Sequence, residues 1–466
     1  MSFTLIRLLN KKPHKKHEIV QEIPEELDED KISEQIESKE KILIIGSGIM
    51  GINSAYFLAK DGRYDVTVIE KDNPIKGATE QNGNALTFIL YPAWTTMSIK
   101  QVMKDIVTFN STPTCYFRLS LLFDKHFRFW AWKYLKCRDK ECVEKSNSAM
   151  IKLGATSYNL FDDFIKDCTD NNPDVVEYHP EILTTIYKGL TKDAIEGKKE
   201  LVKFFQNYVP DTQVVSPEKY DADFVYQIPI RCLNSARFVD YMKLRLSDKY
   251  GVTFIQGEVK AITCTETHVK AVEYADRMAR VKKLKNFDKY IICAGTESIN
   301  IGEMMGLKVP IMGFKGHSLN IFVKDRDIID GTHIHMPETI CVSRVGYNTT
   351  GMVRVTGFAD VDGNNLNPIP WRKDMLTKLA KKFVSEEDYD ESKANHWVGL
   401  RPVTADDVPL IGKSSKFSNL FWNTGHGSRG VIQSIASALV LHSVISDSDC
   451  PEGLAAKDYD PKRFDI

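Results

Sequence analysis

The segment Lys41–Glu70 constrains the fold of this chain more strongly than any other stretch. Its apolar run Ile42–Ile45 is typical of a strand that is buried on both faces of a parallel sheet. A glycine-rich turn follows, and the pattern then predicts a helix over Ile52–Lys60 and a second strand over Val66–Ile69. A strand, a turn, a helix and a second strand in this order predict a βαβ unit in an α/β fold.

The turn has the glycine spacing of a dinucleotide-binding motif, with the residues Gly46, Ser47, Gly48, Ile49, Met50 and Gly51. We expect Gly46 to make the tight turn, Gly48 to admit a pyrophosphate near the backbone, and Gly51 to let helix and strand pack closely. The N-terminus of the helix would offer N–H groups to the phosphates. Glu70 ends the second strand, where a carboxylate can accept hydrogen bonds from an adenosine ribose and repel a 2′-phosphate. The motif therefore favours FAD or NAD over NADP.

Composition excludes several classes of protein. The 466 residues suffice for two or three domains, and 62 basic against 63 acidic residues give no net field that would recruit nucleic acid. The nine cysteines are dispersed without a CxxC pair, which predicts free thiols in a reducing compartment and no metal site. No run reaches the roughly 18 apolar residues of a transmembrane helix. The longest candidate, Val431–Ile445, contains polar residues and is predicted to be a buried helix.

The first 39 residues differ in composition from the rest of the chain. Met1–His17 is basic and lacks acids, whereas Glu18–Glu40 is acidic with few apolar residues. This pattern predicts a disordered, solvated arm, and the basic start also fits an organelle transit peptide. We therefore expect an intracellular protein that is cytoplasmic, or mitochondrial if the arm is a transit peptide.

The middle of the chain mixes helical and strand-like patterns. The aromatic residues Phe123, Phe127, Trp130 and Tyr134 fall on one helix face, and we predict that they are core rather than a cofactor site. Val175–Tyr226 is polar and mixed, which is typical of short strands and loops.

Later segments return the chain to the first sheet. Ser235–Tyr250 is predicted to be a helix, and Gly251–Ile255 and Asp288–Ala294 are predicted strands. Because we expect these strands to join Ile42–Ile45, the cofactor-binding part of the chain is discontinuous in sequence.

A second glycine-rich turn lies near the C-terminus, where a strand over Leu420–Trp422 precedes a long helix to about Ile445. Its residues are Gly425, His426, Gly427, Ser428, Arg429 and Gly430. Such a turn can meet a ligand with backbone N–H groups. It is either a second phosphate site or a contact to the redox ring of the same cofactor. We favour the ring contact because no second strand and acid follow the turn.

Together these segments resemble the D-amino-acid-oxidase-like superfamily of FAD-dependent enzymes, and within it the D-amino acid dehydrogenases. The resemblance covers roughly residues 40–466. Besides the first glycine turn, it is carried by Asn82–Leu86 (NGNAL), Trp130 and Trp132 in the aromatic helix region, Phe314–Leu319 (FKGHSL), Gly399–Gly412 (GLRPVTADDVPLIG), Asn423–Gly430 (NTGHGSRG) and Pro461–Phe464 (PKRF). Leu86 and His317 depart from the residues common in the family, so the resemblance does not identify the substrate.

The resemblance implies that FAD is the cofactor and that the reaction is oxidation of the C–N bond of a small amino acid. Hydride transfer to the flavin would give an imine, which water converts to a 2-oxo acid. A D-amino acid is the favoured substrate, with quinone or oxygen as electron acceptor and peripheral contact with a membrane left open. The alternatives are a secondary amine oxidase of the glycine or sarcosine type and a flavin-binding assembly factor without catalysis.

The resemblance also supplies candidate site residues. The cofactor-binding candidates outside the first turn are Glu70, Lys71, Asn84, Ala85, Val259, Ala294, Gly295, Gly425, Gly427, Ser428 and Gly430. Arg401 is the candidate anchor for a substrate carboxylate, with a structural pairing to Asp406 or Asp407 as the alternative. His426 would polarise the flavin or satisfy backbone carbonyls, and His317 would have a similar role or be a loop histidine. Arg344 is a weaker second candidate anchor.

These inferences predict an α/β flavoprotein with two domains. A Rossmann-like parallel sheet domain for FAD would comprise residues 40–115, 231–300 and 400–466. A mixed-sheet α+β domain for the substrate would comprise residues 116–230 and 301–399, and residues 1–39 would form the arm.

Overall fold

The computed structural model describes residues 39–72, 77–88, 115–323, 329, 331–336, 340–345, 351–385, 387 and 389–466. Glu40–Ile466 groups into one compact unit. The prediction of a disordered arm or transit peptide falls on residues 1–39, which except for the last lie outside the described residues.

The strands of the described residues follow one another along most of the chain. In chain order they are β1 (Glu40–Ile45), β2 (Tyr64–Glu70), β3 (Ala85–Leu86), β4 (His179–Tyr187), β5 (Gln213–Val215), β6 (Phe224–Cys232), β7 (Thr253–Gln256), β8 (Glu258–Cys264), β9 (Val269–Ala275), β10 (Val281–Lys285), β11 (Lys289–Ile292), β12 (Ile311–Phe322), β13 (Thr332–Met336), β14 (Ile340–Val345), β15 (Met352–Asp360), β16 (Asn395–Thr404), β17 (Leu410–Lys413) and β18 (Leu420–Thr424).

Most α-helices of the described residues lie between two strands in the order of the chain. In chain order they are α1 (Ile49–Asp61), α2 (Lys125–Lys136), α3 (Lys140–Cys168), α4 (Lys192–Gln206), α5 (Ser235–Tyr250), α6 (Ser298–Met304), α7 (Pro370–Ala380) and α8 (Gly430–Ser446).

A parallel sheet is built around β1, in the order β17-β18-β11-β1-β2-β7. Its strands pair in parallel except for β17, which pairs antiparallel to β18 at the edge. The run Ile42–Ile45 is buried because strands lie on both sides, helices α1 and α8 cover one face, and β8, β9 and α6 cover the other. Helix α1 ends at Gly62, whose φ of +86° suits a left-handed C-cap. The βαβ unit and the return of β7 and β11 to this sheet are therefore confirmed.

A second, mixed sheet has the order β16-β12-β15-β14-β13-β4-β6-β3, with β5 paired to β6. Its pairs are antiparallel except for the parallel pair of β13 and β4. A small antiparallel sheet has the order β10-β9-β8. Its first strand, β8, comes directly after β7 of the parallel sheet in the chain. The predicted fold class, a Rossmann-like parallel sheet with a second mixed sheet, is confirmed. The division into two domains stays a prediction, and β16 crosses its boundary at 399/400.

Helix α8 packs against α1 and α3 in the largest apolar core. The segment Gly427–Ser446 is apolar and long enough to cross a membrane by composition, but 67% of its best window is buried inside the protein. Polar side chains of α8 bond to neighbouring helices, as in the 2.8 Å bond from the Asn53 amide to the Ser434 hydroxyl. The predicted buried helix is confirmed.

Three predictions about local structure are wrong or incomplete. Phe123 precedes α2 and is 85% exposed, because Asp124 caps the helix and the aromatic stripe starts only at Phe127. The polar region Val175–Tyr226 contains helix α4, which buries only Val202 and Phe205 and therefore shows little apolar periodicity. The NGNAL segment, assigned to the cofactor domain, pairs through β3 with β6 of the mixed sheet.

The mixed sheet contains a buried ionic network at the end of β15. The Asp360 carboxylate accepts hydrogen bonds from the Arg372 guanidinium, from His317 Nε2 at 3.1 Å and from the Tyr116 amide at 2.7 Å. Asp360 and Arg372 are both 0% exposed. Burial raises the pKa of Asp360, but the bonds from His317 and Arg372 outweigh it and hold the pKa below its usual value.

We expect Asp360→Asn to lower the free energy of unfolding by about 3–5 kcal/mol, because it leaves the buried Arg372 cation without its counter-charge. Since the folded-state pKa of Asp360 is depressed, its contribution is present above the unfolded pKa near 4 and is lost as pH falls through the folded value. The wild type should therefore lose stability on acidification more steeply than the variant. Denaturant titrations at neutral and acidic pH measure both effects. Asp374→Asn, at an exposed position of α7, is the control and should stay within about 0.5 kcal/mol.

Candidate active site

A cavity of about 1130 Å³ lies at the carboxyl ends of the parallel strands and extends to the mixed sheet. Open α/β sheets bind ligands at this edge, and the volume slightly exceeds the range of about 300–1,000 Å³ for small-molecule sites. Loops after β1, β2, β11 and β18 form one wall, and β12, β15 and β16 contribute to the other.

The first glycine turn leaves no space for side chains where β1 enters α1. A Cβ on Gly51 would lie 1.9 Å from the Gly46 carbonyl oxygen, and a Cβ on Gly46 would lie 2.6 Å from the Cys293 carbonyl oxygen. Gly46 also has a φ of +104°, which L side chains rarely adopt. The N-cap of α1 is Gly48, which has no side chain, and the first turn has no acid. The Ile49 amide donates to the Thr79 hydroxyl at 3.3 Å, and Gly48, Ile49 and Met50 line the cavity. The turn therefore presents backbone N–H groups suited to an anion.

Glu70 lies at the end of β2 and lines the same part of the cavity. Its Oε2 accepts hydrogen bonds from the Ser47 amide at 2.7 Å and the Ser47 hydroxyl at 3.2 Å, and its Oε1 accepts one from the Asp72 amide at 3.1 Å. The carboxylate thus fixes the glycine turn as well as facing the cavity. A carboxylate has about four acceptor sites, so capacity for a ribose hydroxyl is retained.

The second glycine turn, between β18 and α8, forms the opposite end of this wall. Gly425 has a φ of +84°, and its Cβ would lie 2.5 Å from the Thr404 side chain. His426 is buried, its Nε2 lies 2.8 Å from the Ser437 hydroxyl, and burial lowers its pKa to about 3. The imidazole is therefore neutral near pH 7, so it supplies no cation to a ring bound in the cavity.

Arg429 of this turn was not among the predicted site residues, although it lines the cavity. Its guanidinium is buried and bonds to the Asp407 carboxylate at 3.0 Å. Asp406, which precedes Asp407 in the sequence, bonds to Arg463 at 2.7 Å. The two aspartates thus bond to the guanidinium groups of Arg429 and Arg463, and a further pairing with Arg401 stays the alternative prediction. A glycine turn that contains an arginine, with an aspartate pair upstream, was the available signal for Arg429.

Arg401 reaches the cavity from β16 on the mixed-sheet wall. Its Nη1 donates a 2.7 Å hydrogen bond to the Phe358 carbonyl. A Cβ on Gly316, in the neighbouring strand β12, would lie 2.7 Å from both Nη atoms, so the guanidinium lies directly over this glycine. Phe358 has a φ of +65°, an uncommon conformation for a bulky residue, beside a bulge between Lys315 and His317. The strained backbone at Phe358 and the absence of a side chain at Gly316 together fix the position of the Arg401 guanidinium.

His317 also lines the cavity, and each of its ring nitrogens lies within hydrogen-bond distance of another side chain. Its Nε2 lies 3.1 Å from Asp360, and its Nδ1 lies 3.1 Å from Nε2 of His396. The carboxylate selects the tautomer in which His317 Nε2 carries the proton and Nδ1 accepts from His396. Burial lowers the pKa of His317 more than Asp360 raises it. His317 is therefore a fixed wall residue rather than a ready proton acceptor, and the loop-histidine interpretation is wrong because it lies within β12.

The cavity brings together most of the sequence-predicted candidates. Those that line it are Gly46, Gly48, Ile49, Met50, Glu70, Lys71, Ala85, Val259, Ala294, Gly295, His317, Arg401, Gly425, His426, Gly427, Ser428 and Gly430. Ser47, Gly51 and Asn84 are not among the lining residues: Ser47 bonds to Glu70, Gly51 serves packing, and Asn84 accepts a 3.0 Å bond from the Leu233 amide. Cofactor contact by these residues stays a prediction.

Arg344, the second candidate anchor, lies outside the lining of the cavity. Its guanidinium is 3.6 Å from the Glu181 carboxylate. A ring nitrogen of His179, a carboxylate oxygen of Glu181 and the sulfur of Cys232 all lie within 4.8 Å of one another. Arg344 supplies the positive charge that balances Glu181, so these two residues form an ion pair.

Sequence reasoning missed the loop that follows β15. Asn364 and Leu366 of this loop line the cavity. The loop is held by Lys315, whose ammonium is 0% exposed and bonds to Asp362 at 2.6 Å and to the Asn367 carbonyl at 2.9 Å. No sequence signal joins Lys315 to residues nearly fifty positions later, because the contact depends on the pairing of β12 with β15.

The two ends of the cofactor wall fit one FAD molecule. The N-terminus of α1 suits the pyrophosphate and Glu70 the adenosine ribose. The second glycine turn and Arg429 lie where the same cavity approaches the mixed sheet. Because one cavity joins both glycine turns, a single extended dinucleotide accounts for both.

The family model that matches this chain is described as FAD dependent oxidoreductase and covers residues 41–443. A curated relative, D-amino acid dehydrogenase from Neisseria meningitidis, is 25% identical over 426 residues, which are 88% of this chain and 96% of the relative.

Solved structures are similar in fold. Glycine oxidase from Geobacillus kaustophilus gives a TM-score of 0.66 at 12% identity, covering 91% of this chain and 98% of that one. L-alpha-glycerophosphate oxidase from Mycoplasma pneumoniae, with FAD bound, gives 0.58 at 14% identity, covering 88% and 95%. At these identities the structures support the fold alone.

We expect Gly51→Ala to lose most of its bound flavin, because the added methyl group would meet the Gly46 carbonyl at 1.9 Å and displace the turn. The ratio of flavin absorbance to protein, with the melting temperature, measures the effect. Gly197→Ala is the matched control, since a Cβ there meets nothing within 4 Å on helix α4. A Gly51→Ala protein that is as yellow and as stable as the control would contradict this role for the turn.

Proposed function

Because this chain belongs to the FAD-dependent oxidoreductase family, we propose that it oxidises the C–N bond of an amino acid, with a D-amino acid as the favoured substrate. The observation that carries the proposal is the Arg401 guanidinium, which faces the cofactor cavity from the mixed sheet. The name of the curated relative, which the chain covers over 96% of its length, supports the same substrate class.

The proposed reaction removes a hydride from Cα of the neutral amine, and the lone pair of the nitrogen then forms the C=N bond of a protonated imine. Water adds to the carbon of this protonated imine, and loss of ammonium gives the 2-oxo acid. Bound FAD supplies the acceptor of the two electrons. The protein's own task is to bind the amino acid and to orient its Cα.

Arg401 is the proposed anchor of the substrate carboxylate. A guanidinium is planar and carries five N–H donors, so it can hold a carboxylate through two parallel bonds. The bond from Nη1 to the Phe358 carbonyl and the contact with Gly316 fix the plane of the group before substrate arrives. A carboxylate that enters the cavity is thereby held in one orientation relative to the cofactor wall.

The proton of the amine requires no dedicated base if the substrate reacts as the neutral amine. His426 is buried beside Ser437, and the Asp360–His317–His396 chain holds His317 in one tautomer. We therefore assign these histidines to shaping the cavity. Asp360 orients His317, and His317 provides a neutral wall next to Arg401.

We expect Arg401→Ala to lower catalytic efficiency by about 10²–10⁴-fold, since about 3–5 kcal/mol is lost when one partner of a buried charge pair is removed. Arg401→Lys keeps the charge but loses the two-pronged contact, so it should also bind substrate weakly. Flavin content and melting temperature should change little. Arg344→Lys is the control, because Arg344 lies outside the cavity lining.

Anaerobic bleaching of the flavin with D- and L-amino acids, glycine and sarcosine measures substrate choice and the effect of each variant. Re-oxidation by oxygen and by a soluble quinone then identifies the acceptor. Reduction by sarcosine alone would favour the secondary amine alternative. Normal kinetics in Arg401→Ala would overturn the anchor assignment.

Gly316→Ala tests how Arg401 is positioned. Its methyl group would lie 2.7 Å from both Nη atoms and should displace the guanidinium. We expect a rise in KM and a fall in kcat/KM, smaller than in Arg401→Ala. In the double variant the glycine change should have no further effect, because the group it displaces is gone. Additive losses would show that Gly316 acts independently of Arg401.

A further inference from the structure

The surface segment Leu119–Lys136 carries several large apolar side chains that are among the exposed ones of the described residues. The exposed fractions are 85% for Phe123, 55% for Leu135, 52% for Leu122, and 51% for both Leu119 and Trp132. Scattered apolar residues are common on protein surfaces, but five within eighteen residues indicate an interaction site.

Basic residues lie among these apolar side chains. Lys125, Arg128 and Lys136 are exposed on the same outward side of α2 as Trp132 and Leu135. Their spacing of three or four residues places them along one helix face. The Lys136 ammonium lies 3.8 Å from the centre of the Trp132 ring, which joins charge and aromatic surface directly. We call Leu119, Leu122, Phe123, Trp132 and Leu135, with these three cations, the basic apolar patch.

The local charge differs from that of the whole chain. Leu119–Lys136 contains four cations and one acid, whereas the chain has a net charge of −1. The acid, Asp124, accepts a 2.6 Å hydrogen bond from the Phe127 amide and caps α2. The fourth cation, Lys133, lies 3.8 Å from Asp465. The three cations of the patch therefore dominate its outward face.

The side of α2 opposite the patch packs against the rest of the described structure. On the inner side of α2, Phe127 and Trp130 are buried. The Trp130 indole donates to the Val403 carbonyl at 3.0 Å, and His126 Nε2 lies 2.7 Å from the Ile311 carbonyl. Arg118, just before the patch, bonds to Asp362 at 2.8 Å. The apolar side chains are thus displayed by packed structure.

We propose that the basic apolar patch seats this protein on the surface of an anionic lipid bilayer. A helix with Lys and Arg beside Trp, Phe and Leu lies in the membrane interface, with apolar groups in the acyl boundary and cations at the lipid phosphates. A protein partner fits less well, because lysine is depleted at protein interfaces, whereas two of the three cations here are lysines. Val403, which holds Trp130, is two residues from Arg401, so docking would fix the active-site cavity relative to the membrane.

Sedimentation of the full-length flavoprotein with vesicles tests the proposal. We expect binding to an equal mixture of phosphatidylcholine and phosphatidylserine, weakened by added salt, and little binding to phosphatidylcholine alone. Phe123→Ser and Trp132→Ser should each weaken binding about tenfold or more, since each removes a large apolar group from the bilayer. Lys125→Glu and Arg128→Glu should each weaken it at least about fivefold.

Matched controls separate this patch from general surface effects. Leu244→Ser and Met278→Ser alter side chains that are 68% and 73% exposed elsewhere, and Lys270→Glu and Lys285→Glu alter exposed lysines of the small sheet. All controls should bind vesicles like the wild type, and every variant should keep its flavin and melting temperature. Binding that survives the patch substitutions would locate the membrane contact in another segment, such as the basic residues 1–17, and overturn the proposal. Absence of vesicle binding by the wild type, with or without capture of a protein by the patch, would also overturn it.

Discussion

The contact between the first glycine turn and the end of β11 is the constraint on which the cofactor wall depends. A Cβ on Gly51 would lie 1.9 Å from the Gly46 carbonyl, and a Cβ on Gly46 would lie 2.6 Å from that of Cys293. Only glycine lets β1, α1 and β11 meet this closely. The contact directs the start of α1 into the cavity, and the Ser47–Glu70 bond then ties the end of β2 to the same turn. The position of the predicted anion site therefore depends mainly on the close packing of the backbone.

The opposite wall depends on buried charge. The Asp360–Arg372 pair has no solvent access, and such a pair is stable only if further hydrogen bonds satisfy it. His317 and the Tyr116 amide supply these bonds. One wall thus has the glycine turns that suit the cofactor of the family, and on our proposal the other wall carries the residue that anchors the substrate. This division explains why the cofactor is easier to identify than the substrate.

Local sequence predicted the parts of the fold that have a local cause. The helix Ser235–Tyr250 was predicted with its observed bounds, and in the structure Asn234 caps its start and Gly251 its end. Helix α4 was missed because it buries few residues, and Phe123 was placed in the core because periodicity alone does not show that Asp124 starts the helix. The partners of His317 lie 43 and 79 residues away, so its fixed tautomer follows only from strand pairing. Arg401 was found through a motif, but its contacts with Gly316 and Phe358 were not.

The conformation of Phe358 links the stability of the mixed sheet to the geometry of Arg401, the proposed substrate anchor. A φ of +65° at a buried phenylalanine costs on the order of 1–3 kcal/mol. The Arg372 guanidinium lies 4.0 Å from the centre of its ring, and the pair with Asp360 holds that guanidinium in place. The same backbone conformation points the Phe358 carbonyl at Arg401. The buried ion pair therefore does more than hold α7 on the sheet. It stabilises the strained residue that orients the guanidinium. Given the role proposed for Arg401, we expect a change at Asp360 or Arg372 to alter substrate binding through Phe358 without touching the substrate.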